Sequence, residues 1–474
     1  MDYVNFVSKE KSMLVATAGC GKTHTIALCL NHTEGKQLIL THTHAGVASL
    51  NEKIKKQNVN INNYHVETIA GFAQKYVNAF YCGNDIPEQE DNAYFPFILE
   101  QAKNILKINP IKDVIKASYN GLFVDEYQDC TVCQHNFINT LSEIFPTHIL
   151  GDSLQGIFDF KGDTLVDFDE DLNDYEKFPD LTEPWRWKTD NPSLGECLKQ
   201  IRTLLEEKRE IDLDLFNSYI ETLVISENDK YIPGTDYNRN IWSLMEEKNL
   251  LIIHPDSTNI NVRINFIRRF NNSFVLVEAI DDKGFYKFSK EFDKMNLSNF
   301  YNILYKLIPK LFNGETSRNN WFNKDGFKRK ASENDRNIIR PFIRDFEKIK
   351  QKFSYSLISE VLKNIEKLPG IKCYRRELFY NLCKALEYSE YKDISVYEAM
   401  KETRNIKRRI GRKINGRCIG TTLLTKGLEF DIVAVLDAHK FKCPKNFYVA
   451  ITRACKKLII FTNNKILSPY QEEN

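Results

Sequence analysis

Short, almost continuously apolar runs recur in the first third of the chain, each about the length of a strand. They are MLVAT at 13–17, QLILT at 37–41, GLFVD at 121–125 and HILGD at 148–152. A strand wetted on one face alternates polar and apolar residues, so runs apolar at successive positions must be covered on both faces. Segments of helical period separate them, such as TIAGFAQKYVNAF at 68–80 and TVCQHNFINTLSEIF at 131–145. Buried strands alternating with helices predict a parallel, doubly wound sheet. A second series follows: NLLIIH at 249–254, FVLVEAI at 274–280, FDIVAVLDA at 430–438 and KLIIFT at 457–462. Two α/β sheets are therefore expected, and 474 residues leave room for both. Between them, roughly 285–411 is rich in Lys, Asn, Phe and Tyr and reads mostly as helices.

Charge narrows the function little. The chain carries 66 basic and 64 acidic residues, a net of +2, so any polyanion site must be local. Eleven cysteines show no framework spacing, which favours a reducing compartment. The opening MDYVNFVSKEKSM lacks an apolar signal core, and no run approaches the ~18 apolar residues of a membrane span. The expectation is a soluble, cytoplasmic protein with no membrane partner.

After the first apolar run stands ATAGCGKTHT, residues 16–25. Glycines at 19 and 21 let backbone N–H groups curl around phosphate oxygens, with Lys22 to reach the outer phosphates and Thr23 to bind Mg²⁺. A helix beginning there adds its N-terminal dipole. A turn without function is the competing reading, and Ala16 stands where the general pattern has glycine. The run GLFVDEYQDC ends a strand in two adjacent carboxylates, Asp125 and Glu126. One can hold the hydration shell of Mg²⁺ and the other polarise water, or both can belong to a loop that caps the next helix.

With those segments in hand, the chain resembles superfamily 1 nucleic-acid motors of the UvrD/Rep/PcrA type. ATAGCGKTHT and DEYQD resemble that family's phosphate and acidic motifs; LTHTHAGVASL (40–50), ILGDSLQGIFDFKG (149–162), LTEPWRW (181–187), TTLLTKGLEFD (421–431) and FYVAITRA (447–454) resemble five more, in the family's order. The resemblance implies two RecA-like parallel-sheet motor domains of the P-loop NTPase class with mostly helical insertions. The first would span 1–180 with a reduced insertion at about 77–117, the second 181–284 plus 412–474, and a divergent or reduced insertion 285–411. It implies an ATP hydrolase with Mg²⁺, acting on single-stranded or end-containing DNA with 3′→5′ polarity.

The same resemblance implies the roles of single residues. Ala18, Gly19, Cys20, Gly21, Lys22, Thr23, His24 and Glu429 would bind ATP, and Thr23 with Asp125 would hold Mg²⁺. Glu126 would be the general base, Gln155 would sense the γ-phosphate, and Arg186 and Arg453 would reach it from the second domain. Thr41, His42, Thr43, Thr68, Phe158, Phe160, Lys161 and Thr421 are candidates for the DNA path. The phenylalanines could stack on bases or simply pack, and the threonines could meet phosphates or cap helices. The run KRRIGRKINGR at 407–417 could line a backbone track or form a solvated basic face. The adenine-reading glutamine of the family has no counterpart near the N-terminus, Leu423 and Ala70 stand where it has histidines, and CPKN replaces Arg-Arg before the last motif. Size and domain content resemble the helicase-like subunits that stand beside nucleases in Gabija-type anti-phage systems. A partner nuclease is implied, and so is an alternative reading: an ATPase sensor that controls the nuclease without processive unwinding.

Overall fold

Neighbouring residues of a strand point to opposite faces of a sheet, so the apolar runs above feed two cores at once. The computed structural model describes all residues except 90, 159–163, 256–258, 272, 279–282, 314, 329, 331, 411–415 and 471–474. Two compact units emerge: residues 1–257 with 410–415 and 421–474, and residues 258–409 with 416–420.

The first unit contains a six-stranded parallel sheet, β1 (Lys11–Ala16), β2 (Gln37–Thr41), β3 (Tyr64–Thr68), β4 (Gly121–Val124), β5 (Thr147–Gly151) and β6 (Glu176–Leu181), in the order β3-β2-β4-β5-β1-β6. Met13, Leu38, Leu40, Leu122, Val124 and Ile149 face the helices Ile69–Phe80, Tyr94–Leu106, Asn109–Ser118 and Val132–Ser142. Their neighbours Leu14, Ile39, Phe123 and Leu150 face the helices Tyr3–Val7, Lys22–Cys29 and His44–Lys56. Leu14 is level with Leu150 and Val124 with Ile149, so the loops after β1, β4 and β5 leave the sheet at one edge. In open α/β sheets that carboxyl edge is where ligands bind.

A second parallel set lies in the same unit, with strands Leu250–Ile253, Phe430–Val435, Ala454–Thr462 and Glu221–Val224 side by side in that order. The expectation of two parallel sheets holds. The strand Gln37–Thr41 has the bounds its apolar run predicts, whereas the described residues of FVLVEAI yield only a two-residue strand, Val275–Leu276. Of the strands named above, three were not foreseen: β3, β6 and Glu221–Val224. β3 and β6 are the edge strands of their sheet; β3 alternates buried and half-buried residues, and β6 buries only Phe178. An edge strand needs less apolar cover, which removed the signal.

The second unit is mainly helical. Phe285, Phe292, Phe312, Phe346 and Phe379 lie in a core shared by the helices Lys283–Asp293, Phe300–Leu311, Glu333–Gln351, Tyr355–Ile365 and Arg376–Lys392. Among the described residues, no helix is long and apolar enough to cross a membrane.

Phe123 is fully buried at the centre of the first sheet, with its ring 4.9 Å from that of His148. Phe123→Ala is expected to lower unfolding stability by about 3–5 kcal/mol. Urea denaturation followed by tryptophan fluorescence measures it; a loss under ~1 kcal/mol would mean that the site collapses around the missing ring.

Candidate nucleotide site

The loop after β1 is shaped by close backbone approach. Gly19 sits at φ +72°, and a Cβ there would lie 2.5 Å from Cζ3 of Trp187. Gly21, at φ +86°, is the N-cap of the helix Lys22–Cys29. Left-handed conformations of this kind cost residues with a side chain roughly 1–2 kcal/mol. Lys22 is buried, and its Nζ donates to the carbonyl of Ala16 at 3.1 Å. Ala18 and Cys20 are buried, Thr23 is half-buried at the helix start, and His24 is exposed. Burial lifts the Cys20 thiol above its usual range, which leaves it a small filler.

The acidic pair follows β4. Asp125 is buried, its N–H donates to the Leu40 carbonyl at 2.9 Å, and its Oδ1 accepts the N–H of Glu126 at 3.0 Å. Glu126 adopts φ +56°, a left-handed conformation unusual for a side-chain-bearing residue. Such strain is characteristic of functional turns. The two carboxyls titrate apart. Burial and the neighbouring Glu126 charge push Asp125 up to about 7. Burial also opposes ionisation of Glu126, but Lys22, Lys426, the Gln128 amide and Arg453 outweigh it and hold Glu126 at about 2. A divalent cation at Asp125 would reverse its shift and keep it ionised.

After β5, Asp152 is fully buried and paired with Arg202, whose NH1 lies 2.8 Å from Oδ1. Its other oxygen accepts Gln155 Nε2 at 2.7 Å. With its nitrogen so engaged, Gln155 turns Oε1 to Arg453, 3.4 Å from NH2. The Arg202 guanidinium also lies 5.2 Å from the centre of the Tyr448 ring.

Arg186 and Arg453 join these groups. The Arg186 N–H donates to the Gly19 carbonyl at 3.0 Å, tying its segment to the phosphate loop. Its side chain donates to the Thr452 carbonyl at 2.6 Å and to Glu429 at 2.8 Å, while Nε is buried with no hydrogen-bond partner among the described residues. Arg186 in turn draws the Glu429 carboxyl below its usual range. Arg453 is 2% exposed and donates to the Val449 carbonyl at 2.9 Å. Burial and the adjacent Arg186 charge pull it down to about 10, so it stays charged at neutral pH. One compact set thus holds Lys22, Glu126, Gln155, Arg186, Arg453 and Glu429. Left-handed glycines, a lysine on a backbone carbonyl, a buried carboxyl that resists ionisation and an orphaned guanidinium N–H together fit an anionic phosphate tail with a divalent cation.

The DNA-side candidates separate into groups. Thr43, Thr68 and Thr421 are N-caps of the helices His44–Lys56, Ile69–Phe80 and Thr422–Thr425. Thr41, Thr68 and Thr421 are buried, which leaves Thr43 as the exposed hydroxyl of the four. The ring of His42 stacks on Phe158 with centroids 6.4 Å apart, and burial with the Lys426 charge holds His42 near 3, hence neutral. Phe158 is half-buried and carries the Lys426 ammonium 5.1 Å above its ring. Phe160 and Lys161 lie outside the described residues, as does much of the 407–417 run.

Sequence reading overlooked several members of the site. The Lys426 side chain is largely buried and donates to both the Asp129 carboxylate and the Gln155 carbonyl. Both Lys426 and Asp129 stand inside segments quoted for the resemblance, TTLLTKGLEFD and DEYQD, but nothing in one dimension pairs them. Arg202 lacked any signal. Trp185 is 54% exposed, and its Cδ1 lies 3.7 Å from where a Gly21 Cβ would stand.

An AAA domain model matches residues 3–161. Gabija protein GajB of Bacillus cereus is 25% identical over 389 residues, covering 79% of this chain and 70% of that protein. One of the ATP-dependent helicase/nuclease subunits of Lactococcus lactis is 32% identical over 135 residues, which is 27% of this chain but 11% of the longer protein. Among solved structures, Pif1 helicase from Candida albicans aligns with 99% of this chain and 96% of its own, at 10% identity and a TM-score of 0.42.

Arg202→Met would leave the Asp152 carboxylate buried and unpaired, so stability should fall by about 3–5 kcal/mol. Arg202→Met with Asp152→Asn should recover much of that loss in chemical denaturation. Equal losses in the single and double variants would show that the pair does not act through charge.

Proposed function

We propose that this chain, a superfamily 1 helicase-like protein, hydrolyses ATP with Mg²⁺ and uses the cycle to move along, or report on, single-stranded or end-containing DNA. What carries the reading is the meeting, at one carboxyl edge, of the phosphate loop, the acidic pair and two arginines from outside the first sheet. Bound ATP supplies a phosphoanhydride whose γ-phosphoryl group can pass to water. Gly19, Gly21, Lys22 and Thr23 would cradle the phosphates, and Thr23 with Asp125 would hold the metal ion. Glu126, kept anionic by the surrounding cations, would orient the attacking water and accept its proton. Arg186, Arg453 and Lys426 would balance the charge that develops on the phosphoryl oxygens, with Gln155 linking Arg453 to the Asp152–Arg202 pair. Trp185 presents an exposed ring beside the loop, a platform for the base that could stand in for the missing N-terminal glutamine.

The division into motor halves at 1–180 and at 181–284 with 412–474, and the 3′→5′ polarity, belong to the same proposal. So does a cytoplasmic location. Similarity to Gabija protein GajB favours a place in anti-phage defence beside a nuclease, where the chain would act as motor or as sensor. ATPase rates without nucleic acid and with single strand, blunt duplex, tailed duplex or RNA test the core of the reading. Absence of stimulation by any of them removes both roles. A fluorescent fork then separates the two, since a sensor turns over ATP and leaves the fork paired.

Glu126→Gln should keep nucleotide binding but lower turnover about 10²–10⁴-fold. Near-normal turnover would assign the base elsewhere. Trp185→Ala should raise KM for ATP roughly tenfold, with Trp185→Phe close to wild type, if base stacking contributes about 1–3 kcal/mol. An unchanged KM removes the platform.

A further inference from the structure

The near-neutral total conceals a division of charge between the two units. The second unit contains 33 Lys and Arg against 19 Asp and Glu, a net of +14 by subtraction; the first contains 33 against 45, a net of −12. Within the second unit the excess is densest between 318 and 352, with eleven basic residues against five acidic. That stretch holds the helix Glu333–Gln351 and, before it, a hairpin of the strands Phe322–Asn323 and Gly326–Phe327.

The helix sorts its residues sharply. Ile339, Phe342, Phe346 and Ile349 are buried, and Phe327 of the hairpin packs on Phe342 and Phe346 with centroids 5.6 and 4.8 Å away. On the opposite face, Arg336, Arg340 and Arg344 are exposed at a spacing of four residues, about 6 Å per step along the axis. Like charges at this spacing repel one another on a helix. No acidic partner relieves Arg336 or Arg340 among the described residues, and the carboxylate near Arg344 is its sequence neighbour Asp345 at 3.6 Å. Exposed Lys324 lies in the hairpin turn and exposed Lys328 just after its second strand, neither with an acidic partner among the described residues. A folded unit that keeps three repelling cations in a row, two of them with no acidic partner among the described residues, is complementary to a row of anions.

We infer that the exposed Arg336–Arg340–Arg344 face binds the phosphate backbone of a nucleic acid, independently of base sequence. This rests on the proposed action on DNA and adds a contact made by the second unit. Arginine suits it, because its planar fork meets phosphate oxygens two at a time.

Fluorescence anisotropy with a labelled single-stranded oligonucleotide, at a series of salt concentrations, tests the face in the full chain. The variants are R336E/R340E/R344E and, as a control with the same change of net charge on the first unit, R209E/R239E/K248E. The face variant should bind at least tenfold more weakly at low salt, and the slope of log affinity on log salt should fall by about 2, from roughly 0.7 per phosphate contact. The control should bind like wild type, and R336K/R340K/R344K should retain most of the salt slope. Circular dichroism must show the face variant folded; if it is not, the single substitutions R336E and R340E take its place. Wild-type affinity and slope in the folded face variant overturn the inference and leave an acidic protein as the ligand of that face. An equal loss in the control would reduce the effect to bulk charge, which also overturns it. Should wild type itself bind no oligonucleotide, the proposed action on DNA falls rather than the face alone.

Discussion

Burying several cations together is the constraint around which the candidate nucleotide site is built. Arg453 is almost wholly out of water beside Arg186, Lys22 is buried, and the Lys426 side chain is largely so. Desolvation costs several kcal/mol per ion, recovered only when counter-charges and hydrogen bonds are well placed. Here the counter-charges are Glu126, Asp129 and Glu429, and the hydrogen bonds come from backbone carbonyls of Ala16, Val449, Thr452 and Gln155. The balance is incomplete, since Arg186 keeps a buried Nε–H without an acceptor among the described residues and Asp125 resists ionisation. An anionic ligand with its metal ion would supply the groups that both lack.

The scaffold holds this set by backbone contacts more than by side-chain reach. The segment around Arg186 ties the two parallel sets together: its N–H meets the Gly19 carbonyl, Trp187 Nε1 donates to the Ala454 carbonyl at 2.6 Å, and Asn191 donates to the Lys456 carbonyl at 2.8 Å. Trp187 fills the space that Gly19 leaves, so a shift of the loop must be felt by that ring and by the strand Ala454–Thr462. Such packed contacts favour discrete rearrangements over gradual deformation. Changes at the phosphate loop can thereby reach the second set of strands.

Charge is organised at a second scale. An acidic first unit carries a local cationic site, whereas the second unit is basic as a whole. The acidic surroundings disfavour non-specific polyanion binding to the first unit, which concentrates long-range attraction on the second.

The sequence by itself determined the α/β class and the glycine-rich loop proposed to hold phosphate, because both are written in contiguous residues. A run apolar at every position must be buried on two faces, and only a glycine-rich turn before a helix brings N–H groups, Lys22 and Thr23 together. It also carried the acidic pair and the two arginines, each within a short segment. Edge strands β3 and β6 escaped notice because edges demand little apolar cover. Tertiary structure alone decided that Lys426 bridges Asp129 and Gln155 and that Arg202 neutralises Asp152. Lys426 and Asp129 are 297 positions apart. Their pairing depends on how two sets of strands meet, and a local pattern contains no information about that distance.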